Sequence, residues 1–120
     1  MTRPKAKPIG LAIIGAGRVG LFRGGVASRH PAVQWIGIAE AKPERGKEVG
    51  QTIGADFVTT DYRELLKRPE VTAVIVATDE HLHVDPVLAA VERGLPMMIE
   101  KPLATTLPDS ARVLREIQRS

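Results

Sequence analysis

The sequence predicts an open, doubly wound α/β domain built on a five-stranded parallel sheet, and three observations carry that prediction. Short aliphatic runs alternate with helical stretches along the chain, aromatic residues make up only 3%, and a glycine-rich turn joins the first run to the first helix. A chain of 120 residues has room for one domain with one modest core. With so few aromatics the core must be Val, Ile, Leu and Ala, which suits parallel strands covered on both faces. Strand–helix alternation then implies right-handed parallel crossovers.

The elements follow in order. Pro8 to Ile14 is an aliphatic strand, followed by the glycine turn and a helix near Arg18 to Ser28. Gly24 and Gly25 fall inside that helix; each costs about 1 kcal/mol relative to alanine, so both are expected to mark close packing. Val33 to Ala39 is the second strand, and Pro43 to Ile53 the second helix, with proline suited to its first turn. Asp56 to Thr59 is a short third strand; Asp61 and Glu64 then have the spacing of a capping box before Leu65 and Leu66. Ala73 to Ala77 is the strongest strand, His83 to Glu92 a helix stopped at Gly94, and Leu95 to Ile99 a fifth strand. Thr106 caps a last helix to Gln118, with arginines in its final turn.

Composition excludes several classes. Hydrophobic residues are 43% and charged residues 26%, the balance of a globular domain rather than a disordered segment. There is no cysteine, so no disulfide framework or thiolate metal site is expected, in keeping with a cytoplasmic protein. No apolar stretch has the length of a signal peptide or a membrane span. The net charge is +3, but the arginines are scattered, without a basic block or interleaved aromatics, and nucleic acid is not the expected partner.

Gly15-Ala16-Gly17-Arg18-Val19-Gly20 is a GxGxxG motif. Its context makes it specific: it follows a strand, opens a helix and precedes an acidic residue at the end of the next strand. Gly15 permits the tight turn, Gly17 lets backbone approach a pyrophosphate, and Gly20 lets helix pack against strand. The amides of Arg18, Val19 and their neighbours then face the phosphates at the positive end of the helix. A tight turn with no ligand is the competing account. Glu40, twenty positions after Gly20, is placed to accept hydrogen bonds from the adenosine ribose and to repel a 2′-phosphate, which favours NAD over NADP. Lys42 and Arg45 soften that preference if either offers its charge to the phosphate; a solvated helix start explains them equally.

Ligands of such sheets bind beyond the carboxyl ends of the strands, where Thr78-Asp79-Glu80-His81-Leu82-His83 and Glu100-Lys101-Pro102 fall. The spacing of His81 and His83 does not converge on one helical face, so no metal site is expected. Lys101 puts an amine at the end of an aliphatic strand, where an ammonium stabilises developing alkoxide charge during hydride transfer. An ordinary strand-ending salt bridge with Glu100 is the alternative.

On IIGAGRVG at the first turn, VIVAT with HLH after the fourth strand, and GLPMMIEKPLATT at the fifth, the chain resembles the glucose–fructose oxidoreductase, inositol dehydrogenase and MocA (Gfo/Idh/MocA) family. The resemblance runs from Ile9 to the last helix. It implies the Rossmann-like NAD(P)-binding domain of an enzyme that oxidises or reduces sugars, cyclitols and related alcohols or carbonyls. By resemblance, Lys101 is the catalytic, nicotinamide-side lysine and Glu100 the acid before it. Gly15, Gly17, Arg18, Val19 and Gly20 form the phosphate loop, and Glu40 is the ribose acid. Thr78 and His83 border the nicotinamide end. Where members commonly carry Pro-Asn, this chain has Asp79-Glu80, and Glu80 is the candidate acceptor for a ribose hydroxyl there.

Residues 1–120 are therefore expected to be one dinucleotide-binding domain, with the family's second, substrate-binding domain absent and turnover alone not expected. Without the family's sixth strand, Pro96 to Ile99 is an expected sheet edge through which the chain dimerises or aggregates. A stand-alone NAD(H)-sensing module is the alternative function, and a structural domain without ligand a third.

Overall fold

The computed structural model describes residues 8–78, 84–99 and 107–119, without the side chains at 107, 109, 110 and 119. Five strands, β1 (Ile9–Ile14), β2 (Val33–Ala39), β3 (Phe57–Thr59), β4 (Ala73–Val76) and β5 (Met97–Ile99), form one sheet. Five helices connect or follow them: α1 (Arg18–Ser28), α2 (Pro43–Ile53), α3 (Tyr62–Leu66), α4 (Val84–Glu92) and α5 (Leu107–Arg119). The strand order is β3-β2-β1-β4-β5 and every pairing is parallel. The direction of winding reverses between β1 and β4, so the crevice for a ligand opens at the carboxyl end of β1.

Alternation along β1 divides the core in two. Leu11 and Ile13 pack with Val49 and Ile53 of α2 on one face. Ala12 and Ile14 pack with Leu65 and Leu66 of α3, Val87 and Ala90 of α4 and Val113 of α5 on the other. Both faces of the sheet are covered by helices, which is why β1 carries buried aliphatics on both sides. The register brings Ile14 level with Ala39 and Val76, Ala39 with Thr59, and Val76 with Ile99. All five strands thus end along one rim.

α1, β2 and α2 have the expected bounds, β1, β3 and β4 are each one residue shorter than expected, and three further local details differ. The capping box at α3 does not close directly. Asp61 accepts from the Arg63 N–H at 2.9 Å, but Glu64 accepts from the Thr59 hydroxyl at 3.0 Å, and that hydroxyl oxygen takes the Asp61 N–H at 3.2 Å. Thr59 lies between the two partners and relays the bond. β5 starts at Met97 rather than Leu95, because the Leu95 N–H returns to the Ala90 carbonyl at 3.1 Å and closes α4 around Gly94. Gly25 is not a packing position: a Cβ there meets nothing within 4 Å among the described residues, whereas at Gly24 it lies 2.8 Å from Ile13 Cδ1 and 2.9 Å from Ile53 Cδ1. The caps expected from His83 and Thr106 lie outside the described residues. Among the described residues no helix is long and apolar enough to cross a membrane.

The two glycines of α1 should respond oppositely. Gly25→Ala should raise stability by about 1 kcal/mol, the propensity difference with no steric charge against it. Gly24→Leu should lower it by roughly 1–3 kcal/mol through overpacking against Ile13 and Ile53. Equal shifts in Tm for the two variants would contradict the packing described.

Candidate functional site

The site begins where β1 ends. The Gly15 N–H donates to the Ala39 carbonyl at 2.8 Å, and the Ala77 N–H to the Ile14 carbonyl at 2.7 Å, so β1 stays paired with both neighbours up to the turn. Gly15 has φ +95°, and a Cβ there would lie 2.6 Å from the Ala77 carbonyl oxygen and from the Thr78 nitrogen. A Cβ on Gly20 would overlap the Gly15 carbonyl. These two glycines are required by the protein's own packing.

Gly17 differs. Its φ is −74°, which any residue adopts, and a built Cβ meets only an Arg45 guanidinium nitrogen at 3.7 Å. No packing contact among the described residues demands glycine there, while a ligand lying against the backbone would.

α1 starts at Arg18 with Gly17 as its N-cap and no capping side chain. The Leu21 N–H donates to the Gly17 carbonyl at 2.9 Å; the amides of Arg18, Val19 and Gly20 therefore stand in the open first turn. The side chains of Arg18 and Val19 are exposed. No acidic residue occupies this first turn, whereas α2, α3 and α4 carry Glu44, Glu64 and Asp85 in theirs. The positive end of α1 is left uncompensated by its own sequence, the electrostatic condition for holding an anion.

Glu40 and Arg45 reach this turn from the next crossover. Glu40 Oε1 accepts from the Ala16 N–H at 3.0 Å, and Oε2 from the Lys42 N–H at 3.1 Å. Arg45 Nε donates to the Ala16 carbonyl at 2.8 Å. Lys42 precedes α2 as its N-cap residue and is exposed. A cavity of about 430 Å³ gathers Gly15, Gly17, Glu40, Lys42, Arg45 and Thr78 around one space. A second, shallower groove of about 640 Å³ lies along α2 and shares Lys42 and Arg45 with the first.

Among the residues lining the cavity, Thr60, Tyr62, Asp85 and Pro86 escape a reading of glycine and charge patterns. Thr60 and Tyr62 follow β3, and the rule that ligands gather beyond strand ends applies to β3 as much as to β4 and β5. Burial pushes the Tyr62 phenol above its ordinary pKa, with Asp85 and Asp61 adding to the rise and Arg63 opposing it. The phenol therefore remains a hydrogen-bond donor at neutral pH. Glu80, His83, Glu100 and Lys101 lie outside the described residues.

Comparison with known proteins agrees with this architecture. Residues 9–120 match an oxidoreductase family with an NAD-binding Rossmann fold, Gfo/Idh/MocA. A 2,7-anhydro-N-acetylneuraminate hydratase from Mediterraneibacter gnavus is 34% identical over 112 residues, 93% of this chain and 29% of that protein. Inositol 2-dehydrogenase 1 from Saccharopolyspora erythraea is 34% identical over 107 residues, 88% of this chain and 31% of its own length. A solved levoglucosan dehydrogenase, in complex with NADH and levoglucosan, superposes with a TM-score of 0.83 at 29% identity, covering 93% of this chain and 32% of that one. The chain spans about a third of the length of these relatives. It belongs to the Gfo/Idh/MocA family of oxidoreductases, in the part that forms the NAD-binding Rossmann fold.

Proposed function

We propose that this chain is the NAD(H)-binding part of an oxidoreductase that acts on a sugar, cyclitol or related alcohol or carbonyl by hydride transfer. The observation that carries the reading is Gly17, a glycine that neither backbone conformation nor packing requires, at the mouth of an uncapped helix. A pyrophosphate fits that cradle, held by the amides of the first turn of α1. Glu40 adds a carboxylate beside the turn, suited to ribose hydroxyls and repelling a 2′-phosphate, so NAD is the preferred cofactor. Its oxygens already accept from Ala16 and Lys42, and each retains a lone pair for a hydroxyl. Thr78 borders the same cavity and is assigned to the nicotinamide end, with Glu80 and His83 following in sequence.

Bound there, the nicotinamide supplies or takes up the hydride. Lys101 stands two positions after Ile99, the last residue of β5, and is assigned the electrophilic role: its ammonium stabilises negative charge on the substrate oxygen. Glu100 beside it is assigned to hold that amine in position. The relatives' activities include a hydratase and dehydrogenases, so the net reaction depends on residues beyond the cofactor half. Turnover is accordingly not expected from this chain alone.

Three variants test the reading by calorimetric titration and thermal melting. Gly17→Val should cost no more than about 1–2 kcal/mol of stability, the loss of a glycine N-cap, and weaken NADH binding at least tenfold. Gly15→Val should instead destabilise the fold itself, since its Cβ strikes backbone. Wild-type chain should bind NADH more tightly than NADPH, and Glu40→Ala should weaken NADH by roughly tenfold, the cost of lost bonds to a charged acceptor, while narrowing that preference. Normal NADH affinity in Gly17→Val, or equal affinities for both cofactors in the wild type, would sink the corresponding assignment.

A further inference from the structure

Ala16 is fully buried, and both of its backbone groups are taken by side chains of the following crossover. Glu40 accepts its N–H at 3.0 Å and Arg45 Nε donates to its carbonyl at 2.8 Å. Two residues brought from 24 and 29 positions away thus grip one residue of the turn from opposite sides. The Ala16 carbonyl precedes the helix, whose first bond uses the Gly17 carbonyl, so the helix itself offers it no donor. A guanidinium donor is stronger than a neutral one. The same guanidinium turns a terminal nitrogen toward Gly17, 3.7 Å from where a Cβ would stand. Its charge is therefore tied to the turn beneath a pyrophosphate.

We propose that Arg45 is a positioning residue for the phosphate turn, and that it serves NADH and NADPH alike. It is neither a counter-ion selective for a 2′-phosphate nor a merely solvated residue at the start of α2. Glu40 shares the grip, which couples the residue that faces the ribose to the shape of the turn that faces the phosphates. The proposal rests on reading that turn as the pyrophosphate site.

The test compares Arg45→Met, which keeps the stem and removes the donor, with Arg45→Lys in the 120-residue chain. Arg45→Met should weaken NADH and NADPH by the same factor, about three- to tenfold for one lost hydrogen bond, and Arg45→Lys should recover part of both. In the ligand-free protein, amide exchange at Ala16 and Gly17 should quicken in Arg45→Met while exchange within β1 stays as it was. A loss confined to NADPH would overturn the proposal, as would unchanged affinity for both cofactors. Should the wild type bind neither cofactor, the dinucleotide reading fails by itself. The exchange measurement then decides only whether Arg45 holds the turn: unchanged exchange at Ala16 and Gly17 overturns that too, and faster exchange sustains the grip on the turn while its service to the cofactors is overturned.

Discussion

β1 has to leave the sheet and start α1 while still hydrogen-bonded to strands on both sides. Gly15 turns the chain with φ +95° in a space where a Cβ would strike the Ala77 carbonyl, and Gly20 brings the helix back onto that same turn. Much else follows from this close approach. It sets α1 against the sheet so that Gly24 can nest over Ile13 and Ile53. It also aims the open first turn of α1 at the crevice where winding reverses. A side chain at either glycine would push helix from strand, and the anion cradle would go with it.

Electrostatics act on that geometry. Backbone amides and the helix dipole attract an anion only if nothing in the chain satisfies them first. Among the described residues α1 has no capping side chain, and its first turn has no acid. The Glu40 carboxylate beside the turn is held by the Ala16 and Lys42 amides. Arg45 adds a positive charge that is itself anchored to Ala16. The arrangement is preorganised by bonds within the protein, so little ordering remains to be done when a dinucleotide enters.

Most of the architecture was legible in the sequence because its signals are local. Pro43 marks the start of α2, the glycine turn marks α1, and the run Ala73 to Ala77 is short and rich in β-branched residues, as a buried strand is. Misreadings arose where a partner lies outside the pattern. Glu64 has the spacing of a capping box, yet the Thr59 hydroxyl intervenes from the preceding strand. Leu95 is apolar like a strand residue but is taken up by the end of α4. Gly25 looks like Gly24, and only three dimensions reveal that nothing faces it. In the site, the three glycines of the motif and Glu40 are readable from spacing. The bond from Arg45 to Ala16 is not, because a contact across 29 residues to an alanine backbone leaves no periodicity or motif. Thr60 and Tyr62 were within reach of the strand-end rule and required only that it be applied to β3.

A dinucleotide bound at this site would lay its pyrophosphate in the turn from β1 into α1. Two-dimensional amide NMR of the 120-residue chain, titrated with NADH, addresses it most directly. The largest shifts should fall on the amides of Gly15 through Leu21 and on Glu40 to Lys42, with the strand amides at the far end of the sheet unmoved. Shifts centred elsewhere, or none at the turn when NADH binds, would contradict it.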